Sequence, residues 1–164
     1  ALTLEIQDVD VADAIAQAQR RFDVEGLSGD LRVGDFTRLD GFDDASFDLV
    51  IDRGSLVCAG RSAAARAVAE IRRVLRVGGR FFFNPYSDHH TSASAGRAAA
   101  DGLRIDIDRG TMVGVGQLCF YSRPELDEVL SAGWQLRSVQ HVEAREEGDG
   151  SVHAEWRVVA EKLP

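Results

Sequence analysis

The sequence predicts an α/β fold with a mainly parallel sheet, and three observations support this class. Segments with the short apolar runs of strands alternate with segments whose apolar residues recur at helical spacing. The run Phe47–Ile51 is apolar apart from one acid, which is typical of a central strand covered on both faces. The last two apolar segments are joined by a short polar turn, which favours an antiparallel pair.

The first part of the chain is predicted to hold two strands with a helix between them. Residues 2–6 have the pattern of a short strand that ends in an acid. The helix is predicted from apolar residues three or four positions apart, namely Val11, Ala14, Ile15 and Ala18. Asp10 suits its N-cap, and Gly26 ends it before a second strand at residues 31–33 that leads to Asp35.

A turn at residues 40–44 leads into the central strand, and a helix is predicted from about Ser62. Its buried side is expected at the apolar positions Ala67, Ile71, Val74 and Leu75. Gly78 and Gly79 are predicted to end this helix, because glycine is the usual residue just past a helix end. The next strand is predicted at residues 80–83.

Residues 84–116 differ from the rest of the chain in composition. They are rich in Ser, Gly, Ala and charged residues, and their apolar pattern is weak. We expect a lid or cap inserted over one end of the sheet, because long connections without regular structure are usually functional or mobile. Residues 1–164 as a whole are predicted to form one domain that includes this insertion.

Regular patterns return after the predicted lid. Ser122 suits the N-cap of a helix with Pro124 in its first turn, and the helix is predicted to run through Leu130. Residues 134–142 and 152–161 then have the patterns of two strands joined by a polar turn. The chain is therefore predicted to end in an antiparallel hairpin.

Composition restricts the classes of function. The formal net charge of −8 argues against nucleic-acid binding, which needs clustered Lys and Arg. No apolar run reaches about 18 residues, so no membrane-spanning helix is predicted. We expect a cytoplasmic protein with a small-molecule partner. Cys58 and Cys119 match no metal or redox spacing and are expected to be reduced, mostly buried thiols.

Two stretches carry a resemblance to a known family. They are Asp44–Asp52 (DASFDLVID) and Glu70–Arg80 (EIRRVLRVGGR). At this separation they resemble the fourth strand, the next helix and the start of the fifth strand of class I S-adenosylmethionine-dependent methyltransferases. The resemblance implies a Rossmann-like three-layer sandwich with a closing antiparallel hairpin. It also implies S-adenosylmethionine as cofactor, S-adenosylhomocysteine as product, and methyl transfer to an oxygen or nitrogen of a small molecule.

The resemblance implies that cofactor-binding residues stand at the carboxyl ends of the strands, where ligands of open α/β sheets bind. Glu5, with Ile6 beside it, would accept both hydrogen bonds of the ribose diol, unless it is an ordinary exposed acid. Asp35 would accept from the adenine amino group while Phe36 frames the ring. The alternative for Asp35 is simple turn chemistry after Gly34.

Asp52, Arg53 and Gly54 close the predicted central strand. By the same resemblance they are expected near the methionine part of the cofactor and near the acceptor. For Arg53, a structural ion pair is an equally open alternative.

Catalytic roles are expected in the predicted lid, at Tyr86, His89 and His90, with Asp88 beside them. A histidine there could take a proton from a hydroxyl or an amine, although both histidines could equally be exposed loop residues. No metal site is predicted, because the i, i+1 spacing of the two histidines does not set up a chelate.

One part of the family pattern is missing, because no glycine-rich turn occurs before Glu5. Gly114-Val115-Gly116 is superficially similar but does not join a strand to a helix. The missing turn favours one alternative function, a non-catalytic binding or scaffolding domain of the same fold. A nicotinamide-dependent reductase would share the acid after the second strand, but a Tyr-Lys pair is not evident.

We expect the chain to be part of a longer polypeptide with on the order of 30 or more residues upstream, enough for a strand, loop and helix. The expectation rests on the strand-first start without Met. Mass spectrometry of the intact protein tests it, and a mass near 17.9 kDa would contradict it.

Overall fold

The computed structural model describes residues 11–164, with side chains from Asp13 onward. The predicted strand at residues 2–6 and the N-cap at Asp10 lie outside this range. The described helices are α1 (Val11–Glu25), α2 (Arg61–Val74) and α3 (Arg123–Val129). The described strands are β1 (Phe47–Asp52), β2 (Leu75–Phe83), β3 (Arg97–Ala98), β4 (Leu103–Ile105), β5 (Gln117–Cys119), β6 (Trp134–Arg145) and β7 (Val152–Lys162).

The strands form two sheets. The larger has the order β1-β2-β7-β6, in which β1 and β2 run parallel while β2–β7 and β7–β6 are antiparallel. The smaller joins β3, β4 and β5 in antiparallel order. The α/β class and the closing hairpin are therefore confirmed. A mainly parallel sheet in a three-layer sandwich is not confirmed, because antiparallel pairs predominate among the described strands.

β1 lies at the edge of the described sheet. The side chains of Leu49 and Ile51 are 53% and 62% exposed, and no described strand pairs with the outer edge of β1. The prediction of a central strand covered on both faces is thus not confirmed by the described residues. Residues 31–33 form no strand either, and they pair with no described strand. Val33 is accordingly 63% exposed.

The core is built around β2. Phe81 and Phe83 are fully buried, and their rings stack with centroids 5.4 Å apart. Trp134 packs at 5.8 Å from the Phe81 ring, and Tyr121 meets the Phe83 ring edge-on at 5.9 Å. One face of α2 covers this layer with apolar residues three or four positions apart, namely Ala64, Ala67, Val68, Ile71 and Val74. Its helical pattern is confirmed.

The predicted end of α2 at Gly78-Gly79 is wrong. The helix ends at Val74, and the fully buried Leu75 is already extended at the start of β2. Both glycines lie inside β2, where the register shifts against β1 and Gly78 has a φ of +78°. Glycine readily adopts a positive φ, which is needed both at a strand irregularity of this kind and just past the end of a helix.

Residues 84–116 have more regular structure than their composition predicts. After β2, the chain continues beside β7 in the same antiparallel register, with the Ser87 amide donating to Ala154 and the Trp156 amide donating to Pro85. The segment then forms β3 and β4, which pair with each other, and β4 also pairs with β5. Asp101 reaches the start of α2 and accepts from the Ser62 amide at 3.0 Å. The segment is therefore anchored, and its action as a lid stays a prediction.

The helix predicted at Ser122 is confirmed. The Glu125 carboxylate accepts from the Ser122 amide and hydroxyl at 2.8 and 2.7 Å in a capping box, with Pro124 in the first turn. Cys58 and Cys119 are free thiols, and burial raises the pKa of Cys119 to about 11. Within residues 11–164, every helix is too short or too polar to cross a membrane.

A pair of charged residues on the exposed side of α2 holds the loop that precedes β1. Arg73 donates to the carbonyl oxygens of Leu39 and Phe42 at 3.1 and 2.9 Å and to Asp44 Oδ1 at 2.7 Å. Glu70 Oε2 accepts from Arg73 at 2.9 Å and from the Leu39 amide at 3.0 Å. We call this arrangement the Glu70–Arg73 clamp. It fixes residues 39–44 to the helix.

Replacing Arg73 by alanine should lower the free energy of unfolding by about 1–3 kcal/mol, because two loop carbonyls lose a charged donor. Urea unfolding measures the change. Arg66→Ala is the matched control, since Arg66 is exposed on α2 and has no hydrogen bond or ion pair with a described residue. The control should change stability by less than about 0.5 kcal/mol. Equal effects of both substitutions would contradict the role of the clamp.

Candidate functional site

A cavity of about 600 Å³ lies along β1. One wall is β1 itself, with residues 46–52, and the wall opposite is formed by Phe36, Leu39 and Phe42 from the loop that the Glu70–Arg73 clamp holds. The remaining lining residues are Asp30, Ser55, Leu56, Ile71 and Val74. A mostly apolar cavity of this size with a few polar groups is typical of a small-molecule site.

Asp52 supplies the buried acid of this cavity. It ends β1, is 5% exposed, and accepts from the backbone amides of Ser55 and Leu56 at 3.1 and 3.0 Å through Oδ1. Its other oxygen, Oδ2, is buried without a hydrogen-bond partner among the described residues. Burial raises the pKa of Asp52, and the backbone hydrogen bonds oppose that rise. A ligand that donates to Oδ2 would therefore relieve an unsatisfied buried acceptor.

Phe36 lines the cavity, whereas its neighbour Asp35 is exposed and does not line it. Asp35 Oδ1 accepts from the Thr37 amide and hydroxyl at 2.8 and 2.7 Å, and these bonds lower the pKa of Asp35. The turn chemistry considered for this residue is thus present. Oδ2 of the exposed Asp35 has no hydrogen bond with a described residue, so a ligand role is compatible with the turn. Phe36 is 5% exposed and lines the cavity.

The cavity lining does not include Arg53 or Gly54, which were also predicted to bind the cofactor. Arg53 is exposed and forms no ion pair with a described residue, so the structure gives no support for its structural alternative. Gly54 has a φ of +86°, which suits glycine in the turn after β1. Glu5 and Ile6 lie outside the described residues. The structure therefore brings Phe36 and Asp52 to one cavity.

Tyr86 is half-buried among histidine rings and does not line the cavity along β1. Its ring centroid is 5.6 Å from those of His90 and His153. Burial raises the pKa of Tyr86; Cys58 and Glu155 add to this effect, and Arg53 opposes it. Its phenol is therefore protonated at neutral pH and can donate a hydrogen bond, but it is poorly suited to act as a base.

His90 is buried and hydrogen-bonded, so its role in the structure is to hold the surrounding chain. It is 2% exposed, and its Nδ1 accepts from the Ser92 amide at 3.0 Å, so the ring proton is on Nε2. Nε2 lies 3.1 Å from Thr111 Oγ1. Burial, with a smaller effect of His153, lowers the pKa of His90 to about 4. With both nitrogens engaged, the ring has no free nitrogen for the predicted catalytic role.

His89 points to a different part of the molecule. Its Nδ1 lies 2.8 Å from Glu143 Oε1, and its ring is 4.8 Å from the ring of His141 on β6. β6 and β1 are opposite edges of the described sheet. His89 does not line the cavity along β1, and neither does the exposed Asp88. The predicted catalytic role of His89 therefore has no support from its position.

Sequence reasoning missed the wall formed by Leu39 and Phe42 and the Glu70–Arg73 clamp that holds it. The available signal was the recurrence of Phe36, Leu39 and Phe42 every third residue between the strand predicted at residues 31–33 and the predicted central strand. The clamp itself gives no local pattern, because its carbonyl acceptors are about 30 residues from Arg73 in the sequence.

Comparison with known sequences finds a family model that matches slightly less than half of the chain. A profile described as a methyltransferase domain matches residues 3–83. No curated protein has a significantly similar sequence.

Solved structures extend the comparison to the whole fold. A SAM-dependent methyltransferase from Methanosarcina mazei has a TM-score of 0.75 at 18% identity, over 99% of this chain and 81% of that one. The 1,6-didemethyltoxoflavin-N1-methyltransferase from Burkholderia thailandensis, solved with S-adenosylhomocysteine bound, has a TM-score of 0.60 at 22% identity. That match covers 99% of this chain and 61% of the other. The [4+2]-cyclase SpnF has a TM-score of 0.64 at 20% identity, over 99% of this chain and 66% of the cyclase. At these identities the likeness shows the fold. Together with the profile match, it confirms the predicted resemblance to class I methyltransferases.

His90 makes stability depend on pH. Because the unfolded chain takes up the His90 proton near pH 6.5 and the folded chain only near 4, stability is lost as pH falls through this interval. The upper bound of the loss is about 3 kcal/mol. His90→Asn removes the titrating group while its side-chain oxygen can still accept from the Ser92 amide.

In urea unfolding at a series of pH values, the stability advantage of the wild type over His90→Asn should shrink as pH falls from 7.5 to 4. Parallel pH curves for the two proteins would contradict the buried neutral state of His90.

Proposed function

We propose that this chain, a class I methyltransferase fold with a methyltransferase domain match over residues 3–83, transfers the methyl group of S-adenosylmethionine to an oxygen or nitrogen of a small molecule. The observation that carries the proposal is the buried, unpartnered Oδ2 of Asp52 at the cavity along β1. The same cavity is lined by Phe36, whose position the family resemblance assigns to the adenine.

The described residues fit part of such a cofactor. Asp52 Oδ2 is an acceptor for the ammonium of the methionine part, and Phe36 offers an apolar surface to the purine. Oδ2 of Asp35 would accept from the adenine amino group, and Glu5 would bind the ribose diol. The cofactor supplies a sulfonium methyl as the electrophile when it is bound. Gly54 and Arg53 would border it beyond the end of β1.

The residues of the chain contribute positioning and exclusion of water. A displacement at a methyl carbon requires alignment of the acceptor atom with the leaving sulfur, and a dry site strengthens the polar contacts that provide it. The Glu70–Arg73 clamp holds the apolar loop wall in place for this purpose. Tyr86, protonated at neutral pH, would orient an acceptor by donating a hydrogen bond.

The positions of His89 and His90 restrict the acceptors that the proposed reaction can use. Neither His89 nor His90 presents a free nitrogen at the cavity, so the described lid histidines offer no base there. An unprotonated amine or ring nitrogen, or an oxygen that is ionised at neutral pH, needs no such base. The net charge of −8 and the cavity volume of about 600 Å³ favour a small acceptor over nucleic acid. The toxoflavin-precursor N-methyltransferase of the same fold acts on a molecule of this kind.

A second candidate is a domain of this fold that does not transfer methyl groups. The fold similarity to a [4+2]-cyclase favours it, because a methyltransferase fold in that case carries another chemistry. The two candidates differ in whether the site passes a methyl group to an acceptor.

Titration calorimetry with S-adenosylhomocysteine tests the cofactor site in the full-length protein. We expect micromolar binding that Glu5→Ala, Asp35→Ala and Asp52→Asn each weaken tenfold or more. Asp43→Asn is the matched control, since Asp43 is exposed near β1 and does not line the cavity. It should change the affinity by less than twofold. No binding by the folded protein would remove the methyltransferase proposal.

Acceptor screening with a radiolabelled methyl donor separates the two candidates once cofactor binding is established. Methyl transfer that is lost in Asp52→Asn but retained in Asp43→Asn supports the methyltransferase. Cofactor binding without transfer to any amine, heterocycle or phenol supports the second candidate.

A further inference from the structure

We propose a divalent transition-metal site on the opposite edge of the sheet from the cavity, formed by His89, His141 and Glu143. The ligand atoms of these three side chains lie within 4.8 Å of one another. His89 belongs to the connection after β2, whereas His141 and Glu143 belong to the edge strand β6. The site does not depend on the proposed methyl transfer.

The backbone places all three side chains together. His141 and Glu143 are two residues apart on a strand and therefore point to the same face. The His89 ring stands at 90° to the His141 ring with centroids 4.8 Å apart. Glu143 Oε1 is 2.8 Å from His89 Nδ1 and 3.6 Å from His141 Nδ1. One carboxylate oxygen thus faces one nitrogen of each imidazole.

His141 is held as metal-binding histidines commonly are. Its ring lies 4.3 Å from the Trp156 ring, at an interplanar angle of 33°. Its Nε2 is 2.7 Å from Ser87 Oγ, and the Ser87 hydroxyl is 3.3 Å from Asp88 Oδ1. When Ser87 donates to Asp88, the His141 Nε2–H donates to Ser87 and Nδ1 turns its lone pair toward Glu143. A cation between them satisfies both groups, and an outer hydrogen bond of this kind fixes the ligand ring.

The donor set selects the class of metal. Two imidazole nitrogens and one carboxylate oxygen suit Zn²⁺, and also Co²⁺, Ni²⁺ and Cu²⁺, better than the oxygen-seeking Mg²⁺ and Ca²⁺. Three protein ligands leave further positions for water. The side chains of His89, His141 and Glu143 are 61%, 23% and 43% exposed, so the ion exchanges with solvent. Zn²⁺ bound there would link strand β6 to the connection that follows β2.

A simple histidine–carboxylate pair is the competing explanation of the same contacts. The pair between His89 and Glu143 needs no third group, and its exposure makes it weak. The metal site predicts that His89 and Glu143 act together on one ion, whereas the pair predicts no dependence on metal.

Calorimetric titration of Zn²⁺ into the full-length protein, prepared without a histidine tag, tests the site. We expect one ion per chain with a micromolar Kd, weakened tenfold or more by His89→Ala and by Glu143→Gln. The matched control is Glu147→Gln, because Glu147 is an exposed glutamate on the turn after β6 and the same charge is removed. The control should bind within twofold of the wild type.

A second measurement uses Co²⁺ as a spectroscopic probe and compares melting temperatures with and without Zn²⁺. Wild type should show the visible bands of nitrogen-ligated Co²⁺ and a melting temperature that rises with Zn²⁺ concentration, and His89→Ala should show neither. Both substituted side chains are exposed, so the variants should keep the wild-type circular dichroism spectrum. No Zn²⁺ binding by the wild type, or equal binding by wild type and both variants, would overturn the proposal.

Discussion

Burial of Phe81 and Phe83 in β2 is the constraint on which the rest of the structure depends. Their stacked rings require cover on the sheet, which the apolar stripe of α2 and the aromatic rings of Trp134 and Tyr121 provide. With β1 on one side and β7 on the other, both backbone edges of β2 are paired. This fixes where the chain leaves the sheet after Phe83. The connection that follows continues beside β7 as far as Ser87. The Tyr86 ring then packs against His153 on β7, whereas His89 reaches Glu143 on β6.

The same helix that covers the core also shapes the cavity, because Ile71 and Val74 line it and the Glu70–Arg73 clamp holds its loop wall. Residues 36–44 have no regular structure, so their backbone carbonyls need donors from elsewhere. Arg73 supplies two of these hydrogen bonds, and Glu70 accepts one from the Leu39 amide while orienting the guanidinium. The apolar side chains of the loop can then face β1, where the carboxylate of Asp52 stands at the strand end. Core packing and the candidate site are thus coupled through one helix.

What the sequence could predict was local, and what it could not predict depended on distant partners. The apolar stripe of α2, the capping box at Ser122 and the closing hairpin all follow from patterns within a few residues, and all three are confirmed. The strand expected at residues 31–33 has an adequate pattern but no described partner, and a strand without a partner leaves its backbone unsatisfied. For the candidate site, position after a strand was enough to find Asp52. The environments of His89 and His90 could not be found in this way, since they are set by Glu143 and Thr111, far away in sequence.

The two adjacent histidines have different surroundings, and these give their side chains different chemistry. His90 is extended, with φ −65° and ψ 135°, and its ring turns inward to cap the 3-10 turn that follows. His89 lies in the turn that is closed by the His90 amide donating to the Ser87 carbonyl oxygen, and its exposed ring is directed to β6. One ring is thereby kept neutral and fully bonded, and the other is left with a carboxylate and a second imidazole. Neither is available as a proton acceptor at the cavity along β1. The proposed reaction must therefore depend on the position of the acceptor and on its own basicity.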